Sequence, residues 1–272
     1  MMVINQSIPP PDKLEHNGIH LWLTDFNQSS DHIQVLQSIL SPAEQKRLNS
    51  FNLKRAHEFI IGRGVLRQIL GHYLNVSPAN LEFDYLKRGK PFLLNHNHLG
   101  LQFNLTHSHD KIIYAIARER AIGVDVEKVR VIPNINQLAT RFFSETETEF
   151  LQSFPIHEQT IIFLIYWTCK EAFVKACGEG LAFPIRDVEL TMDGGTVQFM
   201  KIRDKISTAQ QWALRTLGCT SNWLTFLPSL QNKTNLSSLH FSHIGALVAE
   251  GQDYQLSQFS VADLFTKSYP PF

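Results

Sequence analysis

The sequence predicts an α+β protein made of two similar α/β subdomains, related by a pseudo-twofold, with the active site in the cleft between them. Three observations predict it. Apolar residues recur at helical spacing twice, over residues 58–74 and over residues 160–177. Each of these helices is followed by a strand, a basic or glycine turn, and further strands. The chain has 272 residues, long for one compact domain and short for two large ones. The halves are expected at residues 1–121 and 122–272.

Residues 19–24 alternate loosely and read as a first strand. Ser41-Pro42-Ala43-Glu44 opens a helix, with Ser41 as N-cap, Pro42 at the first helical position and Glu44 placed for a capping box. Phe59, Ile60, Val65, Leu66, Ile69, Leu70 and Tyr73 make the helix over 58–74 a core element. Strands follow at 81–85, 101–105, 112–117 and 122–127, with Lys87-Arg88-Gly89-Lys90-Pro91 as a basic turn after the first. In the second half the helix over 160–177 leads to a strand at 188–191, a hairpin turn at Asp193-Gly194-Gly195, and a return at 196–200. Strand material continues at 212–214, 223–226, 239–242 and 246–249, and residues 228–236 read as a loop.

Composition bounds the class. Lys+Arg and Asp+Glu are both 25, so the formal net charge is zero and nothing global argues for a nucleic-acid partner. A hydrophobic content of 43% suits a globular protein with a sizeable core. No apolar run approaches the ~18 residues of a membrane span, so no membrane partner is expected. Residues 1–11 lack a basic start followed by an apolar run, so no secretory signal is expected. The three cysteines, Cys169, Cys177 and Cys219, have no metal-ligand spacing and fit reduced thiols in a cytoplasm.

Two strings carry chemistry. In Ile122-Gly123-Val124-Asp125-Val126-Glu127 the strand period puts Asp125 and Glu127 on one face, about 7 Å apart, with Val124 and Val126 toward the core. Paired carboxylates repel, and a divalent cation removes that penalty. Magnesium prefers such oxygen ligands and shares its sites with phosphates. An Asp-x-Glu string is also common on a solvated strand face, so the spacing alone leaves both readings open. In Trp167-Thr168-Cys169-Lys170-Glu171-Ala172-Phe173-Val174-Lys175, Glu171 and Lys175 lie one helical turn apart. Alone they suit a surface ion pair equally well. Gly178 and Gly180 end this helix and are expected to leave room for a ligand.

Together the strings resemble the paired signature of the 4′-phosphopantetheinyl transferases. Ser41-Pro42 with Arg47, Gly89-Lys90-Pro91, Phe103-Asn104-Leu105-Thr106-His107-Ser108 and Arg141-Phe142-Phe143-Ser144 look like that family too, in the family's order over about residues 40–184. The length is similar to the long, Sfp-type branch, a monomer of two similar halves, and not to the short, trimeric holo-carrier-synthase branch. The resemblance implies transfer of phosphopantetheine from coenzyme A to a serine of an acyl or peptidyl carrier protein, with release of 3′,5′-ADP. Asp125, Glu127 and Glu171 would hold Mg²⁺, Glu171 would act as general base on the serine, directly or through a metal-bound water, and Lys175 would contact the α-phosphate; the resemblance thus assigns coenzyme A binding to residues 1–121 and the metal and catalytic helix to residues 122–272. Arg47, Lys87, Arg88, Gly89, Lys90, Pro91, Asn104, Leu105, Thr106, His107 and Asp125 would line the coenzyme A site, His107 near the 3′-phosphate. The sequence departs from the family at Thr106, where serine is frequent, and at Cys169, expected to be an inert packing thiol.

Two other classes compete. A different magnesium-dependent phosphotransferase would be favoured by a Gly-x-x-x-x-Gly-Lys-Ser/Thr loop, which the sequence lacks. A protein that only binds coenzyme A or a carrier would not need Asp125, Glu127, Glu171 and Lys175 together.

Overall fold

A computed structural model describes residues 3–4, 14–193, 196–203, 205–219, 224–226, 241–262 and 264. The first half contains β1 (Val3–Ile4), β2 (Gly18–Asp25), α1 (Ser30–Ser38), α2 (Pro42–Leu48), α3 (Leu53–Leu74), β3 (Phe83–Tyr85), β4 (Pro91–Leu93), β5 (Leu101–Ser108) and β6 (Lys111–Arg118). The second contains β7 (Ile122–Lys128), α4 (Ile135–Phe142), α5 (Glu145–Gln152), α6 (Ile156–Cys177), β8 (Val188–Asp193), β9 (Thr196–Ile202), α7 (Ile206–Ala209), β10 (Trp212–Cys219), β11 (Leu224–Phe226), β12 (His243–Glu250) and β13 (Gln255–Ser260).

The halves repeat one plan: a strand, two short helices, a 22-residue helix, a two-stranded hairpin, then two long strands. The sheets repeat it as well. In the first, β2, β6 and β5 are neighbours in that order; in the second, β7, β12 and β10 are, and every pairing among them is antiparallel.

Alternation along the strands builds the layers. Ile19, Leu21 and Leu23 of β2 and Ile113, Ala115 and Ala117 of β6 pack with Val124 and Val126 of β7 and Leu247 of β12, so the two sheets share a dry interface. Trp22, Tyr114 and Ile116 face the other way, under α3. Ile244, Ala246 and Val248 face the opposite side, under α6. The long helices thus cover the outer faces of the stacked sheets.

Local signals explain the boundaries. The Ser41 capping box forms as expected, its side chain accepting from Glu44 N while Glu44 Oε2 accepts from Ser41 N. The same device starts α5, where Ser144 and Glu147 cap reciprocally. α6 ends at Gly178, whose φ of 71° is the left-handed conformation of a helix stop.

Several elements differ from the expectation. The strand expected at 246–249 is β12, which begins earlier, at His243; of the strand expected at 239–242, Phe241 and Ser242 lie outside any strand, and Leu239 and His240 lie outside the described residues. Gly194 and Gly195 of the expected hairpin turn, Trp223, and the expected loop at 228–236 lie outside the described residues. Strand pairing among the described residues crosses the division at residue 121/122 at β13, which also pairs with β1. β13, from the end of the chain, pairs in parallel with β2 and so joins the first half's sheet. Among the described residues, no helix is long and apolar enough to cross a membrane.

Candidate active site

β5 and β7 are edge strands of different sheets, and they lie side by side. The Asn104 amide oxygen accepts from Val124 N at 2.9 Å, which pins one strand to the other. Gly123 then sets the depth of β7 against α6. A side chain there would overlap the Ala172 carbonyl oxygen and the Ala176 amide nitrogen. This close approach brings the carboxylates of β7 beside Glu171 and Lys175.

Lys175 Nζ donates to Asp125 Oδ1 at 2.6 Å, to Thr106 Oγ1 at 3.0 Å and to the Val124 carbonyl at 3.3 Å. Its ion pair is therefore with Asp125 of β7, rather than with Glu171 one turn back, and its bond to Thr106 of β5 is the one that reaches the other half. Thr106 Oγ1 donates to the same Asp125 oxygen at 3.1 Å. Ser108 Oγ donates to Glu127 Oε2 at 3.0 Å and accepts from Lys128 N. Burial first, and then the Asp125 carboxylate, raise the Glu171 carboxyl above its ordinary value; Lys175 opposes this and Glu127 adds to it.

Among the described residues, no three His, Cys, Asp or Glu side chains form a finished metal cluster. The donor set still suits a hard cation. Asp125 Oδ2 is buried without a hydrogen-bond partner, and an unpaired buried oxygen is costly unless something satisfies it. Asp125, Glu127 and Glu171 sit close enough for the first two to perturb the third.

On the other side of β5, Leu105 and His107 line a cavity of about 540 Å³ with Arg47, Lys54, Arg55 and Arg63. Phe51 and Phe59 line it too, and the Arg47 and Arg55 guanidiniums lie over the Phe51 ring. Lys54, Arg55, Arg63 and Ser108 are absent from the sequence-derived set. Lys54 and Arg55 carried a readable signal, since two cations and no acid in a first helical turn oppose the helix dipole.

The basic turn stands apart from that cavity. Lys87, Arg88 and Gly89 are exposed. Lys90 Nζ donates to the Ile122 carbonyl at 3.0 Å and the Ala176 carbonyl at 3.1 Å, joining the start of β7 to the last turn of α6. Burial lowers its pKa to about 8. This turn packs closely against Gly178 and Gly180. A Cβ at Gly178 would lie 3.1 Å from Leu86 Cδ1, and one at Gly180 would lie 3.0 Å from Arg88 Cβ.

The helix wall has its own anchor. Lys170 is fully buried and pairs with Glu147 Oε2 at 2.9 Å, while its remaining protons reach the Val188 and Ile185 carbonyls. Cys169 beside it is wholly buried, and burial pushes its thiol pKa up, so it packs as an inert group.

Two stacked α/β halves with a carboxylate–lysine cluster at their junction suit an enzyme that works on phosphate esters, and the family models name which kind. The 4′-phosphopantetheinyl transferase superfamily matches residues 121–226, and the N-terminal domain of 4′-phosphopantetheinyl transferase matches residues 24–119. The 4′-phosphopantetheinyl transferase HetI of Nostoc sp. is 38% identical over 208 residues, which are 76% of this chain and 85% of the relative. The 4′-phosphopantetheinyl transferase Sfp of Bacillus subtilis is 31% identical over 182 residues, 65% of this chain and 77% of the relative. The L-aminoadipate-semialdehyde dehydrogenase-phosphopantetheinyl transferase of Rattus norvegicus is 29% identical over 173 residues, 58% of this chain and 56% of the relative. The chain belongs to the 4′-phosphopantetheinyl transferase superfamily and is a transferase of that kind.

Proposed function

We propose that this transferase moves the 4′-phosphopantetheine arm of coenzyme A onto a serine of an apo-acyl or apo-peptidyl carrier protein, using the junction of β5, β7 and α6. The observation that carries this reading is the cluster in which Asp125 and Lys175 meet beside Glu127 and Glu171, with a basic cavity across β5. The serine oxygen bonds to the β-phosphorus of coenzyme A. The bond from that phosphorus to the bridging oxygen breaks, and 3′,5′-ADP leaves.

Glu171 takes the serine proton. Burial and its carboxylate neighbours make it a stronger base than a solvated glutamate. Lys175 stabilises the charge that develops on the leaving α-phosphate. Its three protons are already engaged, and the longest bond, to the Val124 carbonyl, is the one it gives up most readily. Asp125, Glu127 and Glu171 would hold Mg²⁺, with Asp125 Oδ2 as an acceptor awaiting a partner. Bound there, the ion supplies charge neutralisation for the pyrophosphate. Thr106 and Ser108 orient Asp125 and Glu127. Arg47 and His107 serve the nucleotide through the cavity. Asn104 and Lys90 act by holding β5, β7 and α6 together.

The two stacked halves supply a complete junction within one chain, which favours a working monomer. The three free thiols fit a reducing cytoplasm. The test is release of 3′,5′-ADP from coenzyme A, measured with and without an apo-carrier and with a chelator as control. Release that needs the carrier and stops with the chelator supports the reading. Release without the carrier contradicts it.

A further inference from the structure

His243 has no role in the transfer described above. It opens β12 in the second half and is only 1% exposed. Its backbone pairs with Lys128 of β7 on one side and with Cys219 of β10 on the other. Its side chain reaches into the first half. Nε2 lies 3.1 Å from the Ser108 carbonyl oxygen and 3.5 Å from Oδ1 of the exposed Asp110. A carbonyl only accepts, so Nε2 carries a hydrogen and donates it to Ser108. Nδ1 faces the Ser242 hydroxyl at 3.0 Å, which fixes the ring from its other edge.

Ser108 is the last residue of β5, where the chain turns through His109 and Asp110 into β6. Three alternate residues of β5 reach β7 through their side chains. Asn104 accepts from Val124 N, and Thr106 donates to Asp125. Ser108 donates to Glu127 Oε2 at 3.0 Å and accepts from Lys128 N at 3.1 Å. The first two rungs are buried, and Lys175 also holds the second. The third is half-buried and lies at the strand end, where local opening costs least. There the imidazole grips the main chain of the same residue whose hydroxyl holds Glu127. The second half thus fastens the one first-half donor that directs its own carboxylate.

We propose that His243 is a positioning residue for Glu127: by holding the Ser108 main chain, it fixes the hydroxyl that presents this carboxylate to the cation. This rests on the reading of Asp125, Glu127 and Glu171 as the Mg²⁺ ligands, but it is tested by metal binding, without a carrier or turnover. Calorimetry follows Mg²⁺ into the full chain with coenzyme A present, against a blank of coenzyme A alone. His243→Asn puts its amide nitrogen where Nδ1 stands and leaves the Ser108 carbonyl without that donor. It is expected to weaken Mg²⁺ binding about ten-fold, the lower end of what partners of metal ligands supply. His243→Gln places its nitrogen where Nε2 stands and is expected to bind close to the wild type. In a Ser108→Ala background, which has already lost the hydroxyl, His243→Asn is expected to cost little more. Loosened packing alone would not produce that non-additivity. If His243→Asn does not fold, His243→Leu decides, since it fills the buried space without a donor and is expected to show the same loss.

A wild type that binds no magnesium overturns the metal reading and this role with it, and leaves carrier-dependent transfer to its own test. A wild type that binds it, with equal affinity in His243→Asn, or in His243→Leu where that variant decides, overturns the role of His243 alone. So do equal losses in the asparagine and glutamine variants, or losses that add in full to that of Ser108→Ala, because the effect would then not run through Ser108.

Discussion

Lys175 on α6 and Asp125 on β7 meet at 2.6 Å where the second half abuts β5 of the first, and the second oxygen of the same carboxylate is buried without a partner. The pair stands beside two further carboxylates, Glu127 and Glu171. Among the described residues of this cluster one cation, Lys175, faces three carboxylates, so the cluster is short of positive charge. A divalent ion would correct that, and the substrate pyrophosphate would then be drawn to the ion and to Lys175.

Mg²⁺ is therefore expected to raise the melting temperature of the wild type in a concentration-dependent way, as any ligand of the native state does. Asp125→Ala is expected to lose this response and to slow transfer by about 10²–10³-fold or more, the cost of deleting one preorganised electrostatic group. Thermal melts across a magnesium titration check it. An equal response in the variant would place the ion elsewhere.

Glu171→Gln separates chemistry from stability. The folded-state pKa of Glu171 is raised, so its stabilising contribution is complete below the ordinary carboxylate pKa and is lost as pH rises through the folded value. At neutral pH without magnesium, the variant is expected to melt higher than the wild type while transferring little. The gap should close on acidification through the carboxylate range. Melts in matched buffers from acid to neutral pH test this, and a lower neutral melting temperature for the variant would contradict it.

Lys170→Met should be costly without touching substrate. It leaves Glu147 buried against the Leu190 amide with its charge uncompensated. Breaking such a pair costs about 3–5 kcal/mol. Urea unfolding measures it, and a loss under about 1 kcal/mol would show that the pair is not an anchor of α6.

How much of this could be read from the sequence depends on the range of the interaction. The two long helices were legible because their apolar faces recur through many turns. Asp125 and Glu127 were legible as a pair because strand period alone puts them on one face. Four short helices, α1, α4, α5 and α7, escaped notice, although Ser144 and Glu147 spell the same capping box as Ser41 and Glu44. β13 was not legible as a partner of β2, since parallel pairing between the two ends of a chain leaves no local mark. Lys175 illustrates the same limit at the site. Helical spacing offered Glu171 as its partner, and tertiary packing provided Asp125. Gly178 and Gly180 were legible as a helix stop, but what fills the space beside them is a turn from the other half.

Lys90 follows from that last point. Its ammonium holds the Ile122 and Ala176 carbonyls, and its pKa is lowered to about 8. Between about pH 8 and the ordinary lysine value near 10.4, the unfolded chain binds the proton more tightly, so this residue adds stability as pH rises. The wild type should therefore gain on Lys90→Met between pH 8 and 10 in paired unfolding curves. A constant difference across that range would contradict the buried, proton-losing state of Lys90.

The most direct test of the central claim is the intact mass of an apo-carrier after incubation with this protein, coenzyme A and Mg²⁺. The expected result is a gain of one phosphopantetheine arm on the carrier serine, absent with Asp125→Ala and absent without magnesium. Unchanged masses across a panel of acyl and peptidyl apo-carriers would contradict it, as would full modification by the Asp125 variant.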